Sequence, residues 1–108
     1  MKFYKKLYIG DTIKKPNQIK RKLKRYDKLP TIYVIALASG KDQLEIYHSL
    51  LLQQPYYKEK ETYIVGIAGN YEEAVSLVCR ITEEAVLKNG TADLKKYLSG
   101  QVKSERKA

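Results

Sequence analysis

The chain has 108 residues and a net charge of +9, with 44% hydrophobic and 31% charged side chains. This length suits one domain with its own core, and the balance of apolar to charged residues excludes an intrinsically disordered chain. No apolar run approaches the roughly 20 residues of a membrane span, and the single cysteine, Cys79, excludes an internal disulfide. These properties predict a cytoplasmic domain over residues 1–100 and a polar tail over residues 101–108.

The positive charge is concentrated at the N-terminus. Residues 1–28 contain eleven Lys or Arg and two acids, a surplus equal to the net charge of the whole chain. Residues 29–108 contain ten bases and ten acids. A localised positive field of this kind attracts polyanions, acidic protein surfaces or anionic lipids.

The first predicted element is a strand from Phe3 to Ile9, whose lysines suit the edge of a sheet. A helix then begins at Pro16, a residue favoured at the first helical position, and ends before Pro30. Its apolar stripe consists of Ile19, Leu23 and Tyr26.

Two further strands are predicted over residues 31–38 and 62–68, and both are apolar on both faces. This pattern is typical of strands covered on both sides, usually in a parallel sheet with helical crossovers. The alternation places Tyr33, Ile35 and Leu37 opposite Ile32, Val34 and Ala36 in one strand, and Tyr63, Val65 and Ile67 opposite Ile64, Gly66 and Ala68 in the other.

Between these strands we expect a helix that begins at Ser39 or Asp42 and ends at Pro55. Its apolar positions are Leu44, Tyr47 and Leu51.

A third helix is predicted to begin at Asn70, with Glu73 three residues later as in a capping box, and to end at Asn89-Gly90. A short helix over residues 92–99 follows. The predicted core face of the third helix consists of Tyr71, Ala74, Val75, Val78, Ile81, Thr82 and Ala85.

The element order β-α-β-α-β-α-α predicts a small α/β domain. We expect a three-stranded, mainly parallel sheet covered by helices, with the first strand at an edge. Such a small open sheet leaves apolar surface uncovered, which predicts a homodimer formed through the sheet edge or a helix face.

The basic helix is the candidate binding site because no acid occurs between Lys14 and Arg25. Like charges four residues apart repel by a few tenths of a kcal/mol per pair, and a bound polyanion would relieve this repulsion. The competing interpretation is a solvated basic face whose cations favour the helix dipole. The predicted anion-binding residues are Lys14, Lys15, Lys20, Arg21, Lys22, Lys24, Arg25 and Lys28.

Aromatic residues in the basic segment could stack on nucleic-acid bases, although packing is the favoured interpretation for them. They are Phe3, Tyr4, Tyr8 and Tyr26.

Two strand-to-helix corners, at Gly40 and Gly69, could hold a phosphate on backbone N–H groups. Acids follow both corners, at Asp42 and at Glu72-Glu73, and would repel an anion. Helix capping is therefore the favoured interpretation of both corners.

No constellation of catalytic or metal-binding residues is visible in the sequence. His48 is the only histidine and is expected to pack at a helix edge, whereas Cys79 is expected to be a buried apolar residue. The sequence therefore predicts no enzymatic activity, no metal and no cofactor.

The segments over residues 63–74 and 50–57 resemble segments of small bacterial proteins of about this length that have no assigned function. The resemblance extends over most of the chain. It implies no substrate, cofactor or site residue.

The leading hypothesis is a binding module whose basic N-terminal strand and helix contact an anionic partner, nucleic acid being the first candidate. The alternative is a protein-interaction or regulatory module that uses the basic helix against an acidic protein surface, including that of a second copy. Membrane-surface binding is disfavoured because lipid would need Ile19, Leu23 and Tyr26, which the sheet already requires.

Overall fold

The computed structural model describes residues 2–25, 31–37, 44–54, 62–90 and residue 98. The predicted helix over residues 92–99 (apart from Leu98), the corner at Gly40, Lys28 and the tail over residues 101–108 lie outside this part of the chain. The elements in chain order are β1 (Lys2–Ile9), α1 (Pro16–Arg25), β2 (Tyr33–Leu37), β3 (Leu44–His48), a 3₁₀ helix (Ser49–Gln53), β4 (Tyr63–Ala68) and α2 (Tyr71–Asn89).

The strands form one four-stranded sheet in the order β1-β4-β2-β3. β1 runs parallel to β4, whereas β2 is antiparallel to both of its neighbours. The predicted mixture of strands and helices is confirmed, as is the position of β1 at an edge. The prediction of three mainly parallel strands is wrong, because a fourth strand is present and only one pair is parallel.

The extra strand is β3, in the segment where a helix was expected. Leu44 and Ile46 pack towards one core cluster and Tyr47 packs towards the other, so the side chains alternate with the period of a strand. The helical spacing of Leu44, Tyr47 and Leu51 misleads because the window is short and its residues Ile46 and Tyr47 favour strands. Leu51 lies instead in the 3₁₀ helix.

Each face of the sheet carries its own core cluster and its own helix. Leu23 of α1 packs with Val34, Ile64 and Ile67 on one face. α2 packs on the other face with Tyr4, Ile35 and Val65, as does Leu98. The predicted division of β2 into two apolar faces is confirmed, since Ile35 and Val34 belong to different clusters.

The strict alternation predicted for β4 is interrupted by a bulge. Ile35 and Ala36 of β2 pair with Gly66 and Ile64, so Val65 lies between them without a partner of its own in β2. Gly66 fits here because a Cβ atom would lie 3.2 Å from Ile35 Cδ1.

α2 has the predicted ends and part of the predicted buried face. Asn70 accepts a hydrogen bond from the Glu73 N–H at 2.8 Å, and Gly90 ends the helix in the left-handed conformation with φ 74°. The residues buried against the sheet are Ala74, Leu77, Ile81 and Ala85. Two residues that we predicted in the core are exposed instead, Tyr71 at 56% and Val75 at 39%.

Candidate anion-binding surface

α1 is held on the sheet by the apolar stripe that the sequence predicts. The helix begins at Pro16, and the Lys15 carbonyl accepts the Ile19 N–H at 3.2 Å. Leu23 is 1% exposed, and Ile19 packs half-buried against the same cluster. This stripe is used by the core, so only the remaining sides of α1 are available to a ligand.

The cations of α1 leave the helix in three directions. Successive residues are about 100° apart around an α-helix, so residues four apart share a side. Lys20 and Lys24 therefore lie on one side, beside the buried stripe, and Arg21 and Arg25 face away from the sheet. Lys22 lies on the third side and is half-buried, whereas Arg21, Lys24 and Arg25 are exposed.

The other predicted cations belong to the connections around α1. Lys14 and Lys15 are exposed and directly precede the helix. Lys28 lies outside the described residues. Seven of the eight predicted residues thus lie on α1 or directly before it. The five that belong to the helix itself are divided among three of its sides.

An aromatic ring joins the basic part of β1 to that of α1. The Nζ atoms of Lys20 and Lys24 each lie 5.5 Å from the centroid of the Phe3 ring. This distance is within the range of a cation–π interaction. The two ammonium groups consequently lie within about twice that distance of each other.

The cations of α1 are not matched by carboxylates within the part of the chain that the structure describes. No Lys or Arg of α1 forms an ion pair with an acid among the residues that the structure describes. The acids of α2 belong to the helix on the opposite face of the sheet. The lysines of β1 differ in this respect, since Lys2, Lys5 and Lys6 are exposed but each makes an interaction.

The tyrosines of β1 do not form a stacking platform beside α1. Tyr4 is 2% exposed and stacks on Tyr8, with the ring centroids 6.0 Å apart. Arg80 of α2 lies over the Tyr8 ring at 5.6 Å, and the Tyr8 hydroxyl donates to Glu84 at 2.5 Å. Both tyrosines are therefore engaged on the α2 face, and Tyr26 lies outside the described residues.

The second place where an anion could be expected is the crevice at the carboxyl ends of β1 and β4. These parallel neighbours lead into helices on opposite faces of the sheet, which is the position where open α/β sheets bind ligands. In this protein the carboxylate of Glu73 fills the crevice. It accepts hydrogen bonds from the Gly69 N–H at 2.8 Å, the Thr12 N–H at 3.0 Å and the Thr12 hydroxyl at 2.7 Å.

Two glycines make room for this carboxylate. A Cβ atom on Gly10 would lie 2.1 Å from Glu73 Oε1, and one on Gly69 would lie 2.1 Å from Thr12 Oγ1. The φ angle of neither residue is in the left-handed region, so space alone requires glycine there. The segments that follow β1 and β4 are thus tied together by a single side chain.

The hydrogen bonds also fix the charge of Glu73. Burial acts to raise the pKa of this carboxyl, but the hydrogen bonds from Gly69, Thr12 and the Asp11 backbone lower it further than burial raises it. The carboxyl is thus held as an anion, which would repel a phosphate at this corner. This arrangement supports helix capping, rather than ligand binding, as the function of the Gly69 corner.

The cleft beside this corner has no surplus of positive charge. It has a volume of about 160 Å³ and is bordered by Asp11 and Glu73 as well as by Arg80. An anion entering it would meet two carboxylates for one guanidinium group.

The reactive side chains lie apart from the basic surface. Cys79 is exposed on α2, so the prediction that it is buried is wrong. It lies on the side of the helix that faces away from the sheet, opposite the buried residues. His48 ends β3 rather than packing at a helix edge, and its Nδ1 accepts the Leu50 N–H at 3.1 Å. Within the described residues, no group of three or more His, Cys, Asp or Glu could hold a metal ion.

Two roles were missed from the sequence. Phe3 was interpreted as a packing residue, and its contact with two lysines could have been expected only from a prediction that β1 and α1 lie side by side. The carboxylate of Glu73 was expected to return to Asn70, as in an ordinary capping box. Its contact with Thr12, 61 residues earlier, has no local signal in the sequence.

No family model, curated protein or solved structure matches the chain. Among the residues that the structure describes, no helix is both long enough and apolar enough to cross a membrane.

Proposed function

We propose that this protein is a non-enzymatic binding module whose basic N-terminal strand and helix contact an anionic partner, and that this partner is a nucleic acid. Seven cations would contribute from α1 and the two residues directly before it, and the lysines of β1 would add to the positive charge of the same N-terminal segment. Binding would depend on the phosphate backbone, because lysine and arginine neutralise phosphates and release their counterions.

The observation that carries the proposal is the lack of ion pairs on α1 within the described chain. A solvated helix face normally mixes charges of both signs, and like charges at i and i+4 destabilise the helix slightly. Lys20/Lys24 and Arg21/Arg25 are two such pairs. A binding partner that supplies negative charge would offset this repulsion, which favours a function in binding for these cations.

The test is the binding of a fluorescent DNA or RNA duplex, followed by anisotropy between about 50 and 200 mM salt. For the wild-type protein, the logarithm of the binding constant should fall linearly with the logarithm of the salt concentration. Replacing Arg21, Lys22, Lys24 and Arg25 by Gln should weaken binding at least about tenfold and flatten the salt dependence.

The control has the same net charge but keeps the basic helix intact. It replaces Lys88, Lys103, Arg106 and Lys107 by Gln, which removes four cations from the C-terminal part of the chain. This control should bind almost as the wild type does. Equal losses in both variants, or binding that is independent of salt, would reject the proposal.

A second function, as a protein-interaction module, is favoured by the exposed face of α2. Val86 and Leu87 are 44% and 85% exposed, and they border one surface depression together with Thr82 and Glu83. Contiguous apolar residues at a surface are typical of protein contacts. In this alternative, the basic helix of one copy contacts the acids of α2 in another.

Light scattering against ionic strength separates the two functions. Self-association that disappears at high salt, in a protein that does not bind duplex, would favour the alternative. A monomer at all salt concentrations that binds duplex would favour the nucleic-acid function.

A further inference from the structure

We propose that Phe3 is a positioning residue that holds Lys20 and Lys24 as a clamp for one phosphate of a nucleic-acid backbone. This inference rests on the proposed function and adds a defined subsite to it. It begins from the two ammonium groups that each lie 5.5 Å from the centre of the same ring.

The arrangement needs an explanation because the two lysines repel each other. They are four residues apart on α1, where like charges are unfavourable, and their side chains have many rotamers in water. The electron-rich face of an aromatic ring attracts ammonium groups and opposes that repulsion. Phe3 therefore brings both groups together before any ligand arrives, so less side-chain entropy is lost on binding.

The ligand that suits two ammonium groups held at one ring is a phosphate. Each ammonium group is a donor with no acceptor capacity, and a phosphodiester has two unesterified oxygens that share its negative charge. One phosphate therefore has an acceptor oxygen for each lysine.

The same contacts indicate that this subsite does not recognise bases. With two lysines at its ring, Phe3 is engaged by the helix and is not a platform for a base. The clamp should therefore contact the backbone and be indifferent to sequence, because phosphate contacts carry no direct base information.

The experiment is a double-mutant cycle measured with two duplexes of unrelated sequence. Phe3→Leu keeps the apolar bulk and removes the ring face, whereas Phe3→Tyr keeps the ring. The second component of the cycle is the pair Lys20→Gln and Lys24→Gln, made together. Lys22→Gln is the matched control, since Lys22 lies on another side of the same helix.

We expect Phe3→Tyr to bind as the wild type does and Phe3→Leu to bind about two- to fivefold more weakly to both duplexes. When Lys20 and Lys24 are already replaced, Phe3→Leu should have no further effect, since its effect acts through them. Lys22→Gln should leave the effect of Phe3→Leu unchanged.

A loss in Phe3→Leu that is equally large without the two lysines would overturn the inference, as would no loss at all. If the wild type binds neither duplex at low salt, the proposed function fails and the clamp fails with it. If the wild type binds but the cycle shows no coupling, only the clamp fails.

A second measurement does not depend on binding or on the stability of one variant. The ε-methylene protons of Lys20 and Lys24 should show upfield ring-current shifts in the NMR spectrum of the wild type. These shifts should persist in Phe3→Tyr and be absent in Phe3→Leu. Wild-type shifts equal to those of Lys22 would also overturn the inference.

Discussion

At the corner between β1 and β4, one carboxylate accepts three hydrogen bonds from two segments of the chain. On α1, five cations have no carboxylate partner among the described residues. The fold surrounds Glu73 with donors and with the space provided by Gly10. Within the described ranges, it provides no acid for the cations of α1.

The charge of Glu73 forms hydrogen bonds that stabilise the fold, whereas the charges of α1 make no such contribution within the described residues. Removing Glu73 would leave the N–H groups of Thr12 and Gly69 without their acceptor, so its loss should lower stability. Removing the cations of α1 should leave the folded state intact, because the helix contacts the sheet through Leu23 and Ile19. Their effect should appear in binding instead.

The largest effect should come from Gly10→Ala. A Cβ atom there would lie 2.1 Å from Glu73 Oε1 and 2.8 Å from Glu73 Cγ, so the side chain must leave its place and lose its hydrogen bonds. Because that side chain is flexible and can swing aside, the cost is that of its hydrogen bonds, and we expect the free energy of unfolding to fall by about 1–2 kcal/mol, measured by urea denaturation. A change below about 0.5 kcal/mol would mean that the hydrogen bonds of Glu73 do not stabilise the fold.

Glu73→Ala should have almost as large an effect, a loss of about 1–2 kcal/mol, because it removes the same three hydrogen bonds, two of which are exposed to solvent. It also gives the sharper test of the corner. In the Glu73→Ala background, Gly10→Ala should cost almost nothing further, because the side chain that it meets has been removed. Additive losses in the double variant would show that the steric explanation of Gly10 is wrong.

The sequence predicts the ends of the elements better than it predicts the contacts of Glu73. The N-cap Asn70, the C-cap Gly90 and the edge position of β1 follow from local rules about side chains and charge, and the structure confirms them. The link from Glu73 to Thr12 joins residues that are distant in the chain. No local rule can predict it without knowing that β1 and β4 are neighbours.

The same limit explains the errors in the fold. Whether Leu44–His48 forms a helix or a strand depends on the neighbouring strand, and antiparallel pairing with β2 decides it. The amphipathic spacing of α2 likewise predicts a wide apolar face, but not which part of that face the sheet covers. Tyr71 and Val75 therefore stay exposed although they lie close to the apolar side.

A smaller effect should appear in the dependence of stability on pH. Because hydrogen bonds hold the pKa of Glu73 below the usual value of 4.5, the contribution of this carboxylate is complete above that pH. It should be lost progressively as the pH falls through the lowered pKa of the folded state. Urea denaturation as a function of pH should show this loss in the wild type.

Glu73→Gln is the matched variant for the pH measurement, since it keeps the shape of the side chain but cannot titrate. Its stability should depend less on pH than that of the wild type in the acidic range. Identical profiles for the two proteins would contradict a lowered pKa for Glu73.

The smallest change in stability should come from Arg21→Gln and Arg25→Gln, made together. These side chains face away from the sheet and are exposed, so their removal takes nothing from the core. It also removes one repulsive i, i+4 pair, so the free energy of unfolding should stay within about 0.5 kcal/mol of the wild type or rise slightly. A loss above about 1 kcal/mol would mean that the fold depends on these cations after all, and the contrast with Glu73 would no longer hold. If stability is unchanged and duplex binding is weakened, the cations of α1 serve recognition and not folding. Stability of the folded state would then not explain why the helix carries cations that repel one another.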